Sequence, residues 1–153
     1  MASTSTNKQP LLVDNVFHEA VNVGNALNLG FDVLGSNSAA LLVDCIGKDG
    51  AIVEDLYTVS RGAAYAINIF LSSANDYLRP SESVFIGGVG STDVVSTKQH
   101  ADLPETMTPV PRIGSNPKNA GLYVPRNKAL WVALNSDIEV TDAPIVAAQG
   151  GFF

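Results

Sequence analysis

The chain has a single cysteine, two histidines and few charges. A lone Cys45 permits no intrachain disulfide and carries no information about the redox compartment. Charged residues make up 16% of the 153 positions, where an ordinary soluble domain carries about 25%. Such a surface must be covered by Ser, Thr, Asn and Gly, which are plentiful here, or be partly hidden against other chains. No apolar run approaches the ~20 residues of a membrane-spanning helix. The opening Met1-Ala-Ser-Thr-Ser-Thr-Asn7 has neither the basic region nor the apolar region of a signal peptide. Asn-x-Ser/Thr is absent as well. The expectation is a soluble, unprocessed protein.

What charge there is leans acidic, 15 acids against 9 bases for a net −6. That balance repels nucleic acid and anionic membranes at long range, so neither is expected as a partner. The length is that of one domain, which buries ~68–70% of the surface exposed by the unfolded chain and needs no metal or disulfide to fold.

Residues 1–10 are small and polar and end at Pro10, which reads as an extended N-terminal arm; residues 11–153 read as one domain. Within it, short apolar runs alternate with clusters of Gly, Asn, Ser, Asp and Pro. Strands are expected at Leu41–Ile46, Ile52–Val59, Tyr65–Leu71, Val84–Val89, Leu122–Val124 and Ala129–Leu134, with a weaker one at Val16–Val23. Two of these alternate cleanly. Tyr65, Ile67, Ile69 and Leu71 fall on one face of a pleat, as do Leu130, Val132 and Leu134. Ala63, Ala64 and Ala66 favour a helix over residues 61–78, but Tyr65, Ile67, Ile69 and Phe70 fit a strand better. Turn signals recur every ~8–12 residues, the spacing of a sandwich or barrel. Lys48-Asp49-Gly50 predicts a hairpin between the strands at 41–46 and 52–59. Pro125-Arg126-Asn127-Lys128 predicts a turn joining 122–124 to 129–134 in the same way. Lys98–Pro117, with Pro104, Pro109, Pro111 and Pro117, is a long excursion that a neighbouring chain is expected to order. The fold class is therefore all-β, seven to nine strands in a two-sheet sandwich or jelly-roll-like domain.

Catalytic chemistry finds little purchase. His18 and His100 have no nucleophile elbow to serve, because Gly-x-Ser-x-Gly is absent. With Cys45 they make no zinc set by spacing, so no metal or other cofactor is expected. Cys45 lies in the apolar run Leu41-Leu-Val-Asp-Cys-Ile46 and reads as a core thiol. Glu54 and Asp55 are adjacent, and on a regular strand neighbours point to opposite faces, so they cannot flank one glycosidic bond. Gly87-Gly-Val-Gly-Ser91 lacks the lysine and following helix of a phosphate loop and reads as a strand bulge or exit. The expectation is a protein that is not an enzyme.

Two features point to binding. Arg112, Lys118, Arg126 and Lys128 fall within seventeen residues that hold no acid. This is either a solvated stretch balanced by acidic neighbours in the fold or a patch that orients the chain on an acidic partner. The C-terminal Pro144-Ile-Val-Ala-Ala-Gln-Gly-Gly-Phe-Phe153 carries two phenylalanines after a Gly-Gly pair expected to turn the chain. Burial of each ring is worth ~1.5–3 kcal/mol, so Phe152 and Phe153 should dock on this domain or on a neighbouring subunit.

The Ala2-Ser-Thr-Ser-Thr arm, the many short strands, Gly121-Leu-Tyr-Val-Pro-Arg-Asn-Lys-Ala-Leu-Trp131 and Ala147-Ala-Gln-Gly-Gly-Phe-Phe153 carry a resemblance. In these the chain resembles the small β-structured virion proteins of tailed bacteriophages, particularly those of marine cyanobacteria. Such a resemblance implies a sandwich or jelly-roll fold, self-association into a homo-oligomer, and no catalytic residues. It implies a virion protein, assembled in the host cytoplasm, of the head decoration or cement kind or of the tail. Its partners would be the major capsid protein or tail proteins of the same particle, and Arg112, Lys118, Arg126, Lys128, Phe152 and Phe153 are the candidate contact residues. The alternative is a receptor- or carbohydrate-binding module, which needs an exposed aromatic with polar groups beside it; Trp131, Tyr57, Tyr77 and Tyr123 are the candidates.

Overall fold

A computed structural model describes residues 15–24, 39–79, 82–91 and 122–153, and the backbone of 98–100. The expected N-terminal arm and most of the proline-rich excursion lie outside these residues. Among the described residues, nine strands form two antiparallel sheets: β1 (Asn15–Asn22), β2 (Ala40–Asp44), β3 (Gly50–Val59), β4 (Tyr65–Ser72), β5 (Ser83–Ser91), β6 (Lys98–His100), β7 (Leu122–Pro125), β8 (Ala129–Leu134) and β9 (Ile145–Phe152). The stretch at 65–72 is strand, as its alternation predicts.

The pairings are nested. β4 pairs with β5, β3 with β6 and β7, β2 with β8, and β1 with β9, all antiparallel. The chain is thus one long antiparallel ribbon, folded back on itself at the β4–β5 connection. Successive rungs of that ribbon alternate between the sheets. Contacts β9–β3 and β8–β4 then knit the rungs sideways, giving the orders β1-β9-β3-β6 and β2-β8-β4-β5, with β7 on the same edge of β3 as β6. Rolling a nested ribbon into two sheets produces a jelly roll, one of the ways β proteins limit exposed edges.

The ribbon's crossing between sheets is visible at one corner. The Cys45 amide donates to the Lys128 carbonyl at 3.0 Å, and the Asn127 amide to the Cys45 carbonyl at 3.0 Å. Pairing therefore continues from Asp44↔Ala129 through the bend to Gly50↔Pro125. This corrects the two expected connections. Lys48-Asp49-Gly50 does not close a hairpin, because β2 and β3 lie in different sheets; nor do β7 and β8 pair. Turn chemistry at both places is genuine: Lys48 N–H reaches the Cys45 carbonyl at 3.1 Å around Gly47, whose φ is 74°, and Lys128 N–H reaches the Pro125 carbonyl at 3.1 Å around Asn127, whose φ is 57°. Gly and Asn are the residues that tolerate this left-handed conformation. Local turn residues redirect the chain; they do not say which sheet receives it.

Leu130, Val132, Leu134, Ile67 and Ile69 all enter the layer between the sheets, joined there by Val53, Leu56, Val124, Val146 and Ala148. β8 is buried on its other face too. Ala129, Trp131 and Ala133 form a second cluster with Phe70 and Leu78, roofed by the β4–β5 connection. The Trp131 indole N–H donates to the Ala74 carbonyl at 2.9 Å, so the ring's one polar group is satisfied beneath that roof.

β9 carries the other departure from expectation. The C-terminal segment is no flexible tail but the central strand of its sheet, between β1 and β3. Gly150-Gly151 makes no turn. Instead, Gly150 faces the β-bulge of β3 between Val53 and Asp55, where a Cβ would overlap the Ile52 carbonyl. Glycine inside a strand here serves close backbone approach. The same bulge corrects the reading of Glu54 and Asp55. Both fall between the inward Val53 and Leu56, so neither enters the core and simple alternation fails. Gly150→Ala is expected to destabilise the domain by more than the ~1–3 kcal/mol of ordinary overpacking, since backbone and not a side-chain tip obstructs the methyl. A urea midpoint unchanged from the parent chain contradicts this packing.

Candidate docking end of the sandwich

Strand register gathers several of the expected contact residues at one end. Phe152 pairs with Asn15 and Ala51, and Gly50 with Pro125, while Asp44, Ala129 and Ser72 close the corresponding end of the other sheet. Phe152, Phe153, Arg126 and Lys128 all belong to this end. It is also where β1 begins. Arg112 and Lys118 lie outside the described residues, as does the side chain of His100.

Both terminal rings dock on this domain. Phe152 meets Phe17 with centroids 4.7 Å apart and packs against the central core. The Lys48 ammonium sits 3.9 Å above the Phe152 centroid, a cation–π contact worth ~0.5–1 kcal/mol at an exposed site. Phe153 donates its amide to the Gly50 carbonyl at 3.1 Å, and its ring lies 5.9 Å from that of Tyr123. Phe152 is thus a structural anchor with a half-covered ring, and Phe153 a surface ring braced by its neighbour.

Arg126 and Lys128 are not bare. Arg126 stands 3.7 Å from the Asp49 carboxylate, with both side chains more than 70% exposed, a pairing that adds at most ~1 kcal/mol. Lys128 donates to the Ser73 hydroxyl at 2.6 Å, and Asp44 accepts from Asn75 at 2.9 Å nearby. Within the acid-free run, Arg126 therefore meets an acid, Asp49, contributed by another part of the ribbon. Exposure leaves Arg126 able to exchange Asp49 for an external carboxylate.

Elsewhere, His18 is exposed and shares a 2.9 Å hydrogen bond with the Tyr57 hydroxyl on the outer face of the β1-β9-β3 sheet. Cys45 is buried at the ribbon corner, and desolvation pushes its thiol up to about 11 despite the nearby Lys48. A thiol held neutral at physiological pH is a poor nucleophile. Among the described residues, no three His, Cys, Asp or Glu side chains converge as a metal would require.

Lys48 is the member of this end that the sequence does not single out, whereas Tyr123, a candidate aromatic for a saccharide site, stands here beside Phe153. Local turn signals put Lys48 at a hairpin tip, and only the register of β9 brings it over Phe152. Compared with known proteins, the chain matches no family model, no curated protein and no solved structure.

Phe152→Ala is expected to destabilise the isolated domain by about 2–4 kcal/mol, because it removes a ring seated on Phe17. Phe153→Ala should cost well under half as much. Equal urea midpoints for Phe152→Ala and the parent would mean that the ring contributes nothing to the fold.

Proposed function

We propose that this chain is a non-enzymatic structural protein of a virus particle, binding a capsid or tail surface and stabilising it, with a head decoration or cement role favoured. The observation that carries the reading is the nested jelly-roll ribbon, an architecture shared by viral capsid and lectin domains. Fold alone assigns no activity, so the docking end adds the second support: exposed Arg126, Lys128 beside it, and the Phe153–Tyr123 pair at the same rim. The low charge content and the resemblance in the Gly121–Trp131 and Ala147–Phe153 segments agree with this reading. Partners on this account are the major capsid protein or tail proteins of one particle, and further copies of the chain. Repetition over a symmetric lattice multiplies contacts that are individually weak. The virion is the location it implies.

Cosedimentation of the purified chain with tailed-phage particles is the direct test. Saturable binding at a stoichiometry matching a surface lattice is expected. Changing Arg126 and Lys128 together to Ser should slow association and flatten its salt dependence while leaving the urea midpoint nearly unchanged. A chain that stays in the supernatant at every ionic strength contradicts the reading. Binding with unaltered salt dependence removes these two residues from the contact.

A further inference from the structure

The β4–β5 connection leaves the docking end and lies across the outer face of the β2-β8-β4-β5 sheet, where it holds one aromatic ring outward. Of the described tyrosines and the tryptophan, only Tyr77 is exposed, at 38%. Its neighbour Leu78 is almost fully buried beneath, and Trp131 pins the segment through Ala74. The Ser73 amide donates to the Glu82 carbonyl at 3.1 Å, which closes the base of the loop.

Around Tyr77 the polar groups are fixed. The Arg79 guanidinium lies 4.1 Å from the ring centroid. One of its nitrogens donates to Asp76 Oδ2 at 2.6 Å and another to Glu82 Oε2 at 2.9 Å. Asp76 Oδ1 in turn accepts the Tyr77 amide at 3.0 Å. The cation is shared between two carboxylates, so the cluster carries both donors and acceptors and a net charge of one negative unit.

We propose that this Tyr77–Arg79 platform binds a neutral saccharide. A pyranose offers a flat row of C–H groups and a rim of hydroxyls. With the guanidinium on one side of the ring, the C–H face stacks on the other side of Tyr77. The hydroxyls donate to the remaining lone pairs of Asp76 and Glu82 and accept from Arg79, since each carboxylate has about four lone-pair sites. The side chains already hold one another in place, which lowers the ordering cost of binding. Two carboxylates against one cation, on a chain of net charge −6, disfavour sialylated or sulfated sugars. This activity is separate from particle binding and uses a different surface from Arg126 and Lys128.

The test is a ¹⁵N-resolved titration of the whole chain with the methyl glycosides of glucose, galactose, mannose and N-acetylglucosamine, and with 3′-sialyllactose as the anionic comparison. At least one neutral glycoside should shift the amides of residues 73–79 and the Trp131 indole N–H, saturating in the millimolar range. Tyr77→Ala should weaken that binding at least ~tenfold and Tyr77→Phe should retain it, with core resonances such as Leu130 unmoved in both. The proposal is overturned if no neutral glycoside shifts these amides, if sialyllactose binds more tightly, or if Tyr77→Ala binds as the parent does. A chain that cosediments with particles yet binds no glycoside loses this proposal and keeps the particle reading.

Discussion

Antiparallel pairing that survives the passage from one sheet to the other is the constraint on which this structure depends. At the corner formed by residues 44–50 and 125–129, the two chains of the ribbon turn together, bonded through Cys45, Asn127 and Lys128. A bend that broke those bonds would strand polar backbone beside the core, where an unpaired group costs ~1–3 kcal/mol. Gly47 and Asn127 take up the necessary left-handed conformations on the two sides. Asn127 also accepts the Gly47 amide through its side chain at 3.0 Å, tying one turn to the other.

Much of the rest follows. Because rungs alternate between sheets, β9 must enter the middle of its sheet, flanked by β1 and β3, and must approach β3 closely at its bulge. Small residues at 147, 148, 150 and 151 suit that position. Because β8 is central in the opposite sheet, it is buried on both faces, and its outer face needs a cover that the β4–β5 connection provides. The same geometry brings the terminal rings, the Arg126–Lys128 turn and the start of β1 to one end, and it holds Tyr77 outward on the cover.

Legibility in the sequence followed the local signals. β4 and β8 were readable from alternation because each sends a run of alternate branched aliphatic side chains into the layer between the sheets, and the faces assigned to Ile67, Ile69, Leu130, Val132 and Leu134 are the observed ones. Turn residues at 47–50 and 125–128 were readable, but their destination was not, since sheet membership is set by pairings far along the chain. β9 escaped notice because Ala147-Ala-Gln-Gly-Gly151 has low intrinsic strand preference. Its small side chains serve close packing, which only the tertiary arrangement reveals. Bulges defeated alternation at Glu54 and Asp55. Of the candidate contact residues, the docking of Phe152 and Phe153 was foreseeable from ring area alone. The acid facing Arg126, Asp49, comes from the β2–β3 connection, distant in sequence and so invisible to a local charge count.

The ribbon corner can be tested directly by long-range backbone NOEs in solution. The nested jelly roll predicts contacts between Asp44 and Ala129, Cys45 and Asn127, and Gly50 and Pro125, with slow amide exchange at Cys45 and Asn127. NOEs pairing β2 directly with β3 as a hairpin about Lys48-Asp49-Gly50, with those cross-ribbon contacts missing, would contradict the account.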